Sequence, residues 1–259
     1  MQQQGIAYEL IQPCHAGLAP QHAADFRGLV VLGSNHCANE PLPWIDAERC
    51  LLQDALAHDV PVLGHCFGAQ MLARAMGGRV WRNPCPNIGW SQAWVTPQAQ
   101  ALLQLPREIT LFNWHYDTFE IPQGAQRSMF GAYCLNKGFV HGRNWAFQGH
   151  LEVTAHSVQA WCDAGREELC QARGPAVQRQ AQKLAQLPQR MQALRALAVR
   201  VYGAWVAQLE QPAEARIGQP GDPLADVGAA GPLSTPQWAL QYQAALAAHT
   251  REILVRSAR

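Results

Sequence analysis

Cysteine, histidine and carboxylate side chains recur in this chain at spacings that suit covalent hydrolysis. The stretch VPVLGHCFGAQMLA (60–73) sets Cys66 between Gly64 and Gly68, after a short apolar run and before a run with helical spacing. A nucleophile displayed on a strand-to-helix turn needs those parts in that order. Glycines on either side remove side chains that would collide in the turn. The helix N-terminus behind the cysteine favours the thiolate, and the amide of Phe67 stands where an oxyanion needs a donor. As a bare pattern, Gly-x-Cys-x-Gly equally describes a glycine-rich turn holding a buried cysteine. A base must be found elsewhere to separate the two readings, because a free thiol is largely protonated at neutral pH.

Ten histidines are available. In AFQGHLEVT (146–154), a strand over Trp145 to Gln148 that continued would put His150 and Glu152 on one face. A carboxylate there fixes the imidazole tautomer and stabilises the imidazolium. His115 and Asp117 in NWHYDTFEIPQGA repeat the spacing. The residues alone do not choose between the two pairs.

The elements that must hold these residues follow from periodicity. FRGLVVLG (26–33) and PVLG (61–64) are unbroken apolar runs closed by glycine, as in strands buried on both faces. PWIDAERCLLQDALAHDV and FGAQMLARAMGG carry helical spacing, the second stopped by Gly77 and Gly78. Strand, helix, strand, helix predicts an α/β fold, a doubly wound and mostly parallel sheet flanked by helices. From Arg79 to Val153 shorter strand-like pieces, separated by turns such as RNPCPN, predict an antiparallel extension. We expect an α/β domain over 1–172 and a helical segment over 173–210 with a break at Pro188. A Pro/Gly linker over 211–234 and a last helix over 235–259 complete the helical C-terminal extension.

Composition narrows the partners. Twenty basic against nineteen acidic residues give a formal charge of +1, which supplies no field to gather nucleic acid or an anionic membrane. The eight cysteines include no C-x-x-C pair and no histidines at zinc-finger spacing, so neither metal nor cofactor is expected. The first twenty residues lack a basic start and an apolar core, and no run of about eighteen apolar residues occurs. A cytoplasmic, reduced chain with no membrane span is the expectation. His65 reads as an exposed bystander of the turn, and the cysteines other than Cys66 as small apolar filler.

With GHCFGAQ, MLARAMGGRV, NIGW, WHYDTFEIPQGA and AFQGHLEVT in this order, the chain resembles class I glutamine amidotransferases. It is most similar to stand-alone members related to the amidotransferase domain of GMP synthase. The resemblance spans about Gly5 to Val206. It implies a flavodoxin-like fold with Cys66 as nucleophile, His150 as base and Glu152 as its orienting carboxylate. Phe67 and the residue at Ser34 would line the oxyanion hole, and Gln70, His115 and Asp117 would lie on the substrate side. The implied reaction attacks the side-chain amide of glutamine, releases ammonia and hydrolyses a γ-glutamyl thioester. The implied partners are glutamine or a γ-glutamyl compound and a separate ammonia-accepting synthase.

Departures from the family pattern carry expectations of their own. Ser34 stands where a glycine is common, and a positive φ there would strain it. Asn87 replaces a common glutamate, and Gly149 and Leu151 replace residues that often flank the histidine. Relatives begin with a strand, a loop and a helix before the segment matching GIAYELIQP; either the start is assigned too late or the sheet lacks an early strand. Because a lost strand would leave unpaired edges, a longer natural protein is the expectation. These departures keep two further readings in view: a non-catalytic binding protein of this fold, and a cysteine hydrolase or transferase with a non-glutamyl substrate.

Overall fold

The computed structural model describes residues 6–11, 22–209 and 252–256. Along the chain, β1 (Glu9–Ile11) and β2 (Phe26–Val31) precede α1 (Pro43–Ala57), β3 (Val62–His65) and α2 (Phe67–Ala75). Then come β4 (Val80–Val95), α3 (Pro97–Leu103), β5 (Glu108–Phe119), β6 (Gln126–Phe130), β7 (Gly138–His141) and β8 (Asn144–Phe147). Four helices follow: α4 (Ala155–Ala164), α5 (Arg166–Gln171), α6 (Gln180–Leu184) and α7 (Leu187–Ala207). A strand, β9, spans Glu252–Arg256.

The strands form one sheet in the order β1, β9, β2, β3, β8, β7, β6, β4, β5. Pairing is parallel across β2, β3 and β8, where the site is built, and antiparallel outward from them. The parallel strands are apolar on both faces because each face carries its own layer of helices. Val30, Leu63 and Trp145 join one core with Leu103 of α3, Val158 of α4 and Trp205 of α7. Leu29, Val31, Val62 and Ala146 join the other, with α1 and α2. The α/β architecture with helices on both faces is the one expected.

Two local differences have physical causes. The turn expected at RNPCPN is absorbed into the long strand β4, whose register against β5 shifts between Arg82 and Asn87. Such a bulge admits the extra residues without ending the pairing. The edge of β2 away from β3 is paired: β9 runs antiparallel to both β1 and β2, with Leu254 opposite Glu9 and Leu29. Its sequence, Glu-Ile-Leu-Val-Arg, suits a strand, and pairing satisfies backbone groups on both neighbours. The last helix expected over 235–259 is therefore corrected at its end. Its residues 235–251 and the linker 211–234 lie outside the described residues.

The break at Pro188 separates α6 from α7, with the proline in the first turn of α7 where no backbone donor is missed. Leu194, Ala198, Val201 and Trp205 form the buried stripe of α7. That stripe lies over β2, where a side chain at Gly28 would come within 2.9 Å of the Trp205 ring.

Candidate active site

The turn between β3 and α2 holds Cys66 at φ +51°, ψ −108°. This is a conformation that costs a non-glycine residue about 1–3 kcal/mol and persists only where its surroundings enforce it. The enforcement is visible on both sides. The Cys66 amide donates to the Phe147 carbonyl at 2.8 Å, and the Gly68 amide to the Leu32 carbonyl at 3.2 Å. A Cβ on Gly64 would stand 2.6 Å from the Gly68 carbonyl oxygen, and one on Gly68 only 2.1 Å from that of Val31. Helix and strands are thus packed backbone to backbone, which only glycine allows. Cys66 caps α2, so the amide of Phe67 is among the first-turn donors that no helical carbonyl accepts.

His150 reaches Cys66 from beyond the end of β8. The strand stops at Phe147, and His150 is held by a single bridge, its amide donating to the Phe112 carbonyl at 2.8 Å. Its Nδ1 lies 2.5 Å from Oε1 of Glu152, and the ring neighbours the Cys66 side chain, with which it interacts electrostatically. Trp161 packs edge-on against the imidazole, with ring centres 4.9 Å apart. Gly33 closes the other side, where a Cβ would come within 3.0 Å of His150 Cε1 and 3.7 Å of Cys66 Cβ. Burial alone would lower the His150 pKa, but the Glu152 carboxylate and the Cys66 side chain outweigh it and hold the value raised. Burial likewise works to raise the pKa of Glu152, and the neighbouring His150, with a smaller contribution from His65, holds it below the ordinary carboxylate range.

His115, the rival base, has a different setting. Its Nδ1 faces the backbone carbonyl of Asp117 at 2.9 Å, not a carboxylate. Burial, reinforced by Lys137, pushes its pKa well below the ordinary imidazole value, so the ring is neutral. The Asp117 carboxylate lies 3.6 Å from Arg82. The amide of Gln70 donates to the Asp117 carbonyl at 3.3 Å and to Oε1 of Gln148 at 3.2 Å. Asn87 stands opposite His115 across β4 and β5, and its side-chain amide is buried without a hydrogen-bond partner.

Several expectations are corrected here. His65 is fully buried rather than exposed. As the last residue of β3 it shares the face of Leu63 and lies under α7, a consequence of strand alternation that the turn reading overlooked. Ser34 is not among the non-glycine residues with positive φ, so the strain expected there is absent; its hydroxyl accepts from the His36 amide at 3.2 Å. Cys50 and Cys170 are exposed, not filler. Trp114, which as a sequence reads only as core packing, borders the site: its carbonyl oxygen lies 3.8 Å from the Cys66 sulfur and its indole donates to Glu168 at 3.1 Å. Lys137, buried with its ammonium donating to Asn113, was missed by the sequence reading. No spacing pattern marks either residue.

Among the described residues no group of three or more His, Cys, Asp or Glu side chains could hold a metal ion. Among them, too, no helix is long and apolar enough to cross a membrane.

Comparison with known proteins identifies the family. The family model for class-I glutamine amidotransferases matches residues 10–160. The crystal structure of a glutamine amidotransferase from Methylobacillus flagellatus is 38% identical, covers 78% of this chain and 84% of its own, and superposes with a TM-score of 0.73. A glutamine-hydrolyzing GMP synthase subunit of Thermoplasma acidophilum is 30% identical over 129 residues, 49% of this chain and 63% of that protein. Gamma-glutamyl peptidase 4 of Arabidopsis thaliana is 28% identical over 135 residues, 49% of this chain and 54% of that protein. The chain thus spans less than two thirds of the length of each of these last two relatives. With the family match covering more than half of its length, the chain belongs to the class-I glutamine amidotransferase family.

Proposed function

We propose that the protein is a cysteine hydrolase that cleaves the side-chain amide of glutamine, or of a γ-glutamyl compound, through a thioester on Cys66. The observation that carries this reading is Cys66 on its strained turn, beside a His150 whose Nδ1 faces Glu152. The names of two relatives, a gamma-glutamyl peptidase and a glutamine-hydrolyzing GMP synthase, supply the substrate class.

In this reading the Cys66 thiolate attacks the amide carbon while His150 is an imidazolium. The developing oxyanion takes a hydrogen bond from the Phe67 amide and a second from the loop at Ser34. His150 gives its proton to the departing nitrogen, and ammonia or an amine leaves. The neutral imidazole then takes a proton from water as it attacks the thioester, and collapse releases glutamate and restores the Cys66 thiolate beside the His150 imidazolium. Glu152 stays ionised throughout and stabilises the imidazolium. Gln70, His115 and Asp117 hold the substrate, with neutral His115 a hydrogen-bonding wall and not a second base. Where the released ammonia is used, a separate synthase accepts it.

The test is glutamate release from glutamine and from several γ-glutamyl amides, by the wild type and by Cys66→Ala. Release by the wild type that vanishes in the variant is expected. Undiminished release by Cys66→Ala would overturn the reading.

A further inference from the structure

Glu152 has two carboxylate oxygens, and the mechanism uses one. Oε1 meets His150; Oε2 is buried and has no hydrogen-bond partner. Nδ1 of His65 lies 3.6 Å from it, itself buried and without a hydrogen-bond partner. On the far side of that ring, Nε2 of His65 lies 3.2 Å from the hydroxyl of Tyr202 on α7. His65 is clamped between aromatic rings, stacked on Phe147 at 5.8 Å and edge-on to Tyr202 at 5.8 Å.

These neighbours favour one tautomer. The Glu152 carboxylate faces Nδ1, and the Gly149 backbone also favours a proton on this ring. With the proton on Nδ1, beside the carboxylate, Nε2 is free to accept from the Tyr202 hydroxyl. Burial keeps the imidazole neutral against the pull of Glu152, and His150 reinforces that. A neutral donor orients the carboxylate without competing with His150 for its charge.

Resting on the reading that Glu152 orients the base, we propose that His65 and Tyr202 are positioning residues that fix Glu152 from the side opposite His150. Tyr202 lies outside residues 10–160, the part matched by the family model. Helix α7 therefore contributes to the site as well as to the core. It is anchored by fully buried Trp205, one turn beyond the tyrosine, so the hydroxyl is set by packing and not by a free loop.

The test combines three substitutions. Tyr202→Phe keeps the ring and removes the hydroxyl. His65→Asn keeps an N–H donor where Nδ1 stands, and His65→Gln keeps a polar group where Nε2 stands but removes the donor to Glu152. For each, kcat and KM for glutamine are measured, together with the pH dependence of Cys66 alkylation by iodoacetamide, read by mass on the Cys66 peptide. We expect Tyr202→Phe and His65→Gln to lower kcat about tenfold with KM unchanged, the lower end of what removing an orienting partner costs at metal-bound histidines. In both, the midpoint of the alkylation profile moves to higher pH, because a poorly held Glu152 stabilises the imidazolium less. His65→Asn keeps the donor at Nδ1 but loses the contact to Tyr202, so it loses less rate than His65→Gln and its midpoint moves less. Equal losses in the Asn and Gln variants, or a wild-type profile in Tyr202→Phe, would overturn the proposal. The alkylation readout needs no substrate, so a wild type that hydrolyses no glutamine would count against the proposed reaction and leave this inference still tested. Should a His65 variant fail to fold, Tyr202→Phe decides alone.

Discussion

Nδ1 of His150 and Oε1 of Glu152 stand 2.5 Å apart, with the imidazole almost wholly buried and the carboxylate partly exposed. The two residues do not lie on a regular strand: β8 has already ended, and one bridge to Phe112 sets the histidine. The contact therefore depends on the sheet around it, and its energetics can be tested apart from the chemistry.

Replacing Glu152 with Gln leaves the shape and removes the charge. Glutamine hydrolysis is expected to fall between about a hundredfold and ten-thousandfold in kcat, the range for loss of effective acid–base catalysis. Stability should respond as well. His150 has a raised folded pKa, so its contribution is complete below the ordinary imidazole value of 6.5 and is lost as pH rises through the folded value. Glu152 has a lowered one, so its contribution is complete above the ordinary value of 4.5 and is lost as pH falls through the folded value. Urea midpoints against pH should therefore show the wild type's advantage over Glu152→Gln greatest near pH 5–6, shrinking toward both extremes. A pH-independent difference would contradict the pairing.

Strain at Cys66 predicts a trade between activity and stability. Cys66→Gly removes the proposed nucleophile and abolishes hydrolysis. It also relieves a conformation that only glycine adopts readily, and the net gain in unfolding free energy should be about 1 kcal/mol after the entropy glycine adds to the unfolded chain. Urea denaturation measures it; a clear loss would mean that the turn stores no strain.

Two glycines separate steric need from conformational need. Gly68→Ala drives a Cβ to 2.1 Å from the Val31 carbonyl oxygen, a backbone atom that cannot move alone. A cost of about 3 kcal/mol or more is expected, with loss of activity as α2 shifts. Gly142 has φ +55° and nothing within 4 Å of its added Cβ. Gly142→Ala should cost only about 1 kcal/mol, the ordinary left-handed penalty. Thermal melts of the two variants provide the comparison.

Lys137 gives the clearest pH signature away from the proposed catalytic groups. Burial is the main cause that lowers its pKa from 10.5 to about 8. A group with a depressed folded pKa contributes stability above its unfolded value and loses it as pH falls through the folded one. The stability of the wild type relative to Lys137→Met should therefore rise between about pH 8 and 10.5, by at most about 3 kcal/mol. A flat difference over that window would show that the ammonium is better solvated than its position implies.

The sequence by itself determined the elements at the centre of the molecule. Buried parallel strands must be apolar on both faces, and FRGLVV and PVLG are. The turn after β3 must have glycine where helix and strand backbones touch, and Gly64 and Gly68 supply it. Local pattern carries such constraints because each is satisfied within a few residues. What pattern could not choose was the partner of Cys66, since His115 and His150 carry the same two-residue spacing to a carboxylate. That choice belongs to the tertiary structure: the sheet aims His115 at a backbone carbonyl and sets His150 between a thiol and a carboxylate. The structure alone also placed His65 under α7, buried Lys137 and paired β9 beside β2. Each of these contacts joins residues far apart in the chain, where burial and pairing are decided by what lies opposite and not by what lies next.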